Sequence, residues 1–140
     1  MAASNIGGIT LHSWAGFTTK NFTVLAATAN ASDIKKVVDD FSKTTRGFAP
    51  KRWRLVRLLI IDEISMIDSD YLDWLNLVAK NIRKNDSPFG GIQLLIAGDF
   101  FQLPPVVKTN GQQRQDSDYQ PNKKFAFGSG CWLKSTKLFL

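Results

Sequence analysis

Apolar positions along this chain change their period from segment to segment, and the changes predict alternating elements. Ser32 stands where it can cap a helix whose Ile34, Val37, Val38 and Phe41 recur at helical spacing, with Gly47 and Pro50 beyond its end. Residues 55 to 61, LVRLLII, form a nearly continuous apolar run rich in branched side chains, the pattern of a strand covered on both faces in a parallel sheet. From 69 to 84 the positions Tyr71, Leu72, Leu75, Val78, Ala79 and Ile82 return to helical spacing. Asp70 lies early in that segment and Lys80, Arg83 and Lys84 late, as the helix dipole favours. The stretch DSPFGG at 86 to 91 ends this helix, and a second apolar run, IQLLIA at 92 to 97, leads into Gly98 and Asp99.

Strand, helix and strand in that order, joined by short loops, predict a right-handed βαβ unit with parallel strands. Ligands of such sheets sit beyond the carboxyl ends of the strands. Both strands here end in acid: Asp62 and Glu63 after the first, Asp99 after the second. The flanking regions are less patterned. Residues 5 to 16, NIGGITLHSWAG, combine a glycine pair with a mixed segment, which predicts a tight turn into a strand or helix edge. Residues 17 to 31 show no clear period and are read as loop or weak strand. After Pro104 and Pro105, the polar residues 108 to 124 are read as an exposed loop, with order resuming at Phe125, Phe127 and Trp132.

Composition narrows the class. At 140 residues the chain has the size of one domain, and 44% hydrophobic with 21% charged residues is the balance of a globular chain. No apolar run approaches the ~18 residues of a membrane span, no signal peptide or targeting segment is visible, and an intracellular protein without a membrane partner is expected. A single cysteine, Cys131, excludes an internal disulfide, and with one histidine, His12, it leaves too few soft ligands for structural zinc. Any metal chemistry here must be carboxylate chemistry. The net charge of +6 and a pI near 9.6 favour an anionic partner. The basic residues are scattered in small groups (Lys51, Arg52, Arg54 and Arg57; Lys80, Arg83 and Lys84; Lys123 and Lys124), and any one group reads as solvated surface.

Three segments carry residues suited to chemistry. LLIIDE at 58 to 63 is a Walker B pattern, an apolar strand that anchors two adjacent acids at a sheet edge. Phosphoryl transfer uses one carboxylate to hold the magnesium at the terminal phosphates and another to orient or deprotonate the attacking water. Asp62 is assigned to the metal and Glu63 to the water. Taken alone, the pattern fits a buried strand ending in two solvated acids equally well. GDFFQLPP at 98 to 105 follows the second strand, where the neutral amide of Gln102 can bond a terminal phosphate and so report its presence. Pro104 and Pro105 stiffen that loop. Phe100 and Phe101 can stack on bases or fill the core, and each taken singly is read as core. His12 and Ser13 can bond a nucleic-acid phosphate with Trp14 packed beneath them, although a lone histidine beside apolar residues is more often structural.

Taken together, NIGGITLHSWAG, LLIIDEISMID, NDSPFGGIQLLIAGDFFQLPPV and FAFGSGCW resemble successive blocks of the PIF-type superfamily-one DNA helicases, in the family's order. The resemblance implies an α/β fold, a partial RecA-like P-loop NTPase domain with a parallel sheet flanked by helices, spanning 1 to 140. It implies ATP as substrate with Mg2+, catalytic roles for Asp62, Glu63 and Gln102, and nucleotide contacts from Asp62, Glu63, Asp99 and Gln102. It also places Thr10, His12, Ser13, Phe101 and Pro104 along single-stranded DNA. The family's motor moves 5′ to 3′ on one strand and opens duplexes, including four-stranded G-rich structures, in repair, recombination and telomere maintenance. DNA duplex junctions are therefore expected partners, a monomer the expected state, and nucleus or mitochondrion the expected compartment in a eukaryote.

One departure bears on activity. The Gly-rich loop ending in Lys and Ser or Thr, which holds the phosphates of such motors, matches nothing in the 140 residues. The chain also stops before the second RecA-like domain and its arginines. The expectation is a fragment of an ATP-dependent DNA helicase, inert by itself, with a catalytically inactive nucleic-acid-binding remnant as the alternative.

Overall fold

A computed structural model describes residues 7–16, 36, 39, 41, 48–101 and 125–132. The helix expected from Ser32 lies outside the described residues except at Lys36, Asp39 and Phe41, which are helical, with Phe41 buried. The loop expected over 108 to 124 and the segment 17 to 31 also lie outside them.

Among the described residues the bounded elements, in chain order, are α1 (Leu11–Ala15), α2 (Phe48–Leu55), β1 (Leu58–Ile61), α3 (Ser69–Arg83) and β2 (Gln93–Ile96). Short 3-10 turns occupy Ile64–Met66, Pro88–Gly91 and Ala126–Gly128. β1 and β2 pair in parallel with Leu58 opposite Gln93 and Ile61 opposite Ile96, so the strand, helix, strand reading holds. The expected parallel sheet with helices packed against it holds as well.

The ends of α3 explain its length. Asp68 sits in extended conformation as N-cap, and its carboxylate accepts the N–H of Tyr71 at 2.8 Å. Burial raises the Asp68 carboxyl above its ordinary value, against the lowering effect of that hydrogen bond. Lys84 closes the helix in the left-handed region, donating its N–H to the carbonyl of Lys80. Between the caps, Tyr71, Leu72, Leu75, Val78, Ala79 and Ile82 face the core with Trp53, Phe89, Leu59 and Ile61.

Three expectations are corrected. The first strand does not run from 55 to 61. Leu55 belongs to α2, a helix the sequence did not announce, because Pro50 was read as a terminator. Pro50 lies in the first turn, where backbone N–H groups have no helical partner and a proline costs nothing. Among the described residues the strand is also covered on one face only. Leu59 and Ile61 point into the core, while Leu58 and Ile60 on the other face are 46% and 59% exposed, and Leu95 beside them on β2 is 52% exposed. Third, Arg83 is not a solvated charge. Its Nε donates to the Gly90 carbonyl, and its Nη1 reaches the carbonyls of Trp53, Arg54 and Val56 at 2.9 to 3.0 Å. The two hydrogens of Nη1 are shared among these three carbonyls, so one guanidinium caps the end of α2 and ties it to the turn before β2.

The α3-to-β2 connection is packed closely. Phe89 and Gly90 both take left-handed conformations. The buried Asn76 side-chain oxygen accepts the Phe89 N–H at 2.9 Å, and a Cβ on Gly90 would stand 2.7 Å from the Ala79 carbonyl oxygen. Because the Arg83 bonds are charge-assisted and converge from one side chain, Arg83→Ala is expected to lower unfolding free energy by about 3 kcal/mol. Arg83→Lys should recover less than half of that, since an ammonium cannot reproduce the fork. Urea titration of the two variants checks both values.

Candidate nucleotide edge and nucleic-acid segment

The carboxyl ends of β1 and β2 carry a bulge that sets the position of the acid pair. Along the ladder Gln93 donates to the Arg57 carbonyl and Ala97 to the Ile61 carbonyl, each at 2.9 Å. A regular parallel ladder would then return the Ala97 carbonyl to the N–H of residue 63. It accepts instead from Ile64 at 3.0 Å. One extra residue is therefore inserted in the β1 side, and that residue is Glu63, at φ 56 and ψ 43 in the left-handed region. Its N–H, displaced from the ladder, is taken by the Asp62 carboxylate at 3.0 Å. A non-glycine residue held there stores about 1–2 kcal/mol.

Gly98 makes the bulge possible. A Cβ at this position would lie 2.8 Å from the Ile64 nitrogen and 3.0 Å from its Cγ2. In the sequence pattern Gly98 marks only the end of a strand; the close approach of Ile64 is what requires a glycine there. Beyond it, Asp99 accepts the Phe101 N–H on its carboxylate at 2.9 Å and so tightens the turn. Asp62, Glu63 and Asp99 are exposed at this one sheet edge.

Two aromatic neighbours in the turn part company. Phe100 packs edge-on against Phe127 and Phe125, with centroids 5.0 and 6.0 Å away, and against Trp132 at 6.3 Å. Phe101, read singly as core, is fully exposed. Gln102 and Pro104 lie outside the described residues.

Thr10, His12 and Ser13 belong to a separate segment. Gly7 turns the chain at φ 75, and α1 follows with Thr10 as its N-cap, its hydroxyl accepting the Ser13 N–H at 3.3 Å. The sequence left strand and helix open here, and the helix is what forms. His12 stacks on Tyr71 of α3 with centroids 4.6 Å apart and planes 13° apart. Trp14 packs edge-on against Trp53, whose indole N–H donates to the Ala15 carbonyl at 3.1 Å, and Arg52 donates to the Ser13 carbonyl. The backbone of α1 is thus fixed from below, and the His12 and Ser13 side chains remain exposed.

The donor set at the sheet edge suits magnesium, which takes oxygen ligands and keeps water and phosphate in its shell. Among the described residues no group of three acids, histidines or cysteines converges to hold a metal by protein ligands alone. One or two carboxylates plus nucleotide phosphate is the arrangement this edge fits.

The PIF1-like helicase family model matches residues 1–123. The ATP-dependent DNA helicase PIF1 of Candida albicans is 45% identical over 135 residues, which cover 96% of this chain and 14% of that protein. Among solved structures, the Pif1 helicase of Candida albicans superposes with a TM-score of 0.70 at 41% identity, covering 98% of this chain and 26% of the other. A Bacteroides Pif1 helicase in complex with ADP-AlF3 and single-stranded DNA gives 0.62 at 30% identity, covering 99% and 30%. The chain therefore spans about a seventh of the curated relative and about a quarter of the solved neighbours.

The bulge yields two expectations of opposite sign. Glu63→Gly relieves the left-handed strain and should raise stability by about 0.5–1 kcal/mol. Gly98→Ala forces Ile64 off the Ala97 carbonyl and should lower it by about 1–3 kcal/mol. Thermal unfolding followed by far-UV circular dichroism, wild type against each variant, reads both.

Proposed function

This chain belongs to the PIF1-like helicase family, and from that premise we propose that it forms part of the nucleotide-hydrolysing motor of an ATP-dependent DNA helicase. The observation that carries this reading is the bulge after β1, which presents Asp62 and Glu63 as consecutive exposed carboxylates beside the Asp99 turn. In this reading Asp62 would hold the magnesium ion, whose chemistry when bound is to neutralise charge on the terminal phosphates of ATP. Glu63, turned away from the ladder, orients the water that attacks the terminal phosphorus and accepts its proton as ADP departs. Gln102 contacts that phosphate and relays its presence.

Single-stranded DNA is the proposed partner of α1, with Thr10, His12 and Ser13 along its path and Phe101 and Pro104 adding contacts from the other segment. His12 and Ser13 are exposed on a backbone held rigidly by Arg52 and Trp53, and Phe101 offers an open ring for stacking. The net charge of +6 supports a polyanionic partner. Movement from 5′ to 3′, opening of duplex junctions, a monomeric motor, and work in repair, recombination and telomere maintenance in nucleus or mitochondrion belong to the same proposal.

Two measurements test it. In the longer protein that supplies a Gly-rich phosphate loop, Glu63→Gln should reduce ATP hydrolysis by about 100-fold or more while nucleotide binding survives; turnover equal to wild type refutes the role of Glu63. The 140-residue chain alone should show no steady ATP turnover, and turnover that vanishes in Glu63→Gln would overturn that expectation. Fluorescence anisotropy with a labelled oligonucleotide separates the alternative: salt-sensitive binding without hydrolysis in any longer context marks a nucleic-acid-binding remnant.

A further inference from the structure

We propose that Asp73 is a positioning residue for ATP hydrolysis, holding the Asp99–Phe101 turn in place from α3 by way of residues 125–132. The inference rests on the functional reading above and adds a residue to it.

Asp73 lies in the second turn of α3 and is removed in sequence from every acid at the sheet edge. Its two carboxylate oxygens accept two consecutive backbone N–H groups, Oδ2 from Gly130 and Oδ1 from Cys131, each at 3.0 Å. Charge-assisted bonds to adjacent amides fix a segment's orientation as well as its distance. The segment is held a second time where the Cys131 thiol points at the Leu72 carbonyl and lies 3.3 Å from the Ser129 hydroxyl. Burial pushes that thiol up to about 11, so it stays a neutral donor across the working pH range.

What this segment carries is the aromatic seat of Phe100. Phe125 and Phe127 stack on each other at 5.3 Å, and both meet the Phe100 ring edge-on together with Trp132. Phe100 is the middle residue of the turn that Asp99 closes onto the Phe101 N–H. A continuous path of contacts therefore runs from the Asp73 carboxylate through residues 125–132 to Phe100, and it ends in the turn after Gly98, whose backbone abuts Ile64, the residue that follows Asp62 and Glu63. Displacing a catalytic turn by a fraction of an ångström slows phosphoryl transfer far more than it weakens nucleotide binding, because the reaction depends more steeply on alignment than binding does. An aspartate whose only task was to cap a surface segment would leave the rate per folded molecule unchanged.

The test uses the longer helicase that contains this segment, with rates normalised to the fraction of protein that binds a fluorescent ATP analogue. Asp73→Ala is expected to lower kcat about tenfold with KM for ATP unchanged, and Asp73→Asn, which keeps one acceptor oxygen, to fall between it and wild type. Phe100→Ala should lower kcat similarly, and in that background Asp73→Ala should add less than about a twofold further loss. Fully multiplicative effects, or a normalised kcat for Asp73→Ala equal to wild type, overturn the proposal. If Asp73→Ala does not fold, the same cycle is run with Asp73→Asn and judged by the same rule. Wild type and Glu63→Gln serve as references: if wild type does not hydrolyse ATP, or Glu63→Gln matches it, the underlying reading fails and this inference with it. If the references behave and the cycle is multiplicative, only the role of Asp73 is lost.

Discussion

The pair of hydrogen bonds on either side of Ala97 governs the geometry of the whole sheet edge. Its N–H goes to Ile61 and its carbonyl to Ile64, and between those two partners there is one residue more than a parallel ladder holds. The surplus falls on Glu63. A strand that ended without the second bond would release its acids into a mobile loop, and a regular ladder would commit the Glu63 N–H to β2 and turn its side chain with the pleat. The bulge does neither. It fixes Ile64 firmly, which roots the Ile64–Met66 turn and the Asp68 cap of α3, and it leaves both carboxylates facing outward.

From that root, the first turns of α3 gather what the edge requires. Tyr71 carries the stacked ring of His12, Leu72 and Asp73 hold residues 129–131, and the helix face between them packs on β1 and on Trp53. Neighbouring residues of one helix turn thus touch the α1 segment and the aromatic seat of Phe100. Rigid elements of this kind position groups within tenths of an ångström, which loops by themselves do not. A shift of α3 along its axis would move both segments together.

Much of this was legible in the sequence, and what was missed has a common physical cause. The strand, helix, strand order, the extent of α3 and the placement of Asp62, Glu63 and Asp99 at one edge followed from hydrophobic period and from the acids at the strand ends. These signals are written in side chains of consecutive residues. Arg83 reads as a solvated surface charge, and Asp73 and Asn76 carry no signal at all, because their partners are backbone groups at Trp53, Gly130 and Phe89. A carbonyl or amide has no residue identity, so no spacing announces the contact. The same holds for α2, where Pro50 looked like a stop until its place in a first turn was known, and for Glu63, whose left-handed conformation depends on hydrogen bonds made from β2. Of the candidate site, the three exposed acids and the α1 residues can be placed, while Gln102 and Pro104 fall outside the described residues.

The open face of the sheet connects architecture to chemistry. Leu58, Ile60 and Leu95 present branched apolar side chains where parallel sheets ordinarily bury both faces. Each is surface that further packing would cover with a gain of about 25 cal/mol per Å2. The electrostatic consequence is larger. Carboxylates and a phosphate chain at an edge bathed in water interact through a high dielectric, and the same groups in a site walled by covered sheet and closed loops interact several times more strongly. The bulge, the Asp99 turn and the aromatic seat fix where the charges stand, and how strongly those charges act depends on excluding water from the face beside them. Geometry and field are therefore separable in this protein: the described residues fix where the carboxylates stand, whereas the exposure of Leu58, Ile60 and Leu95 leaves the neighbouring face open to the water that screens charge.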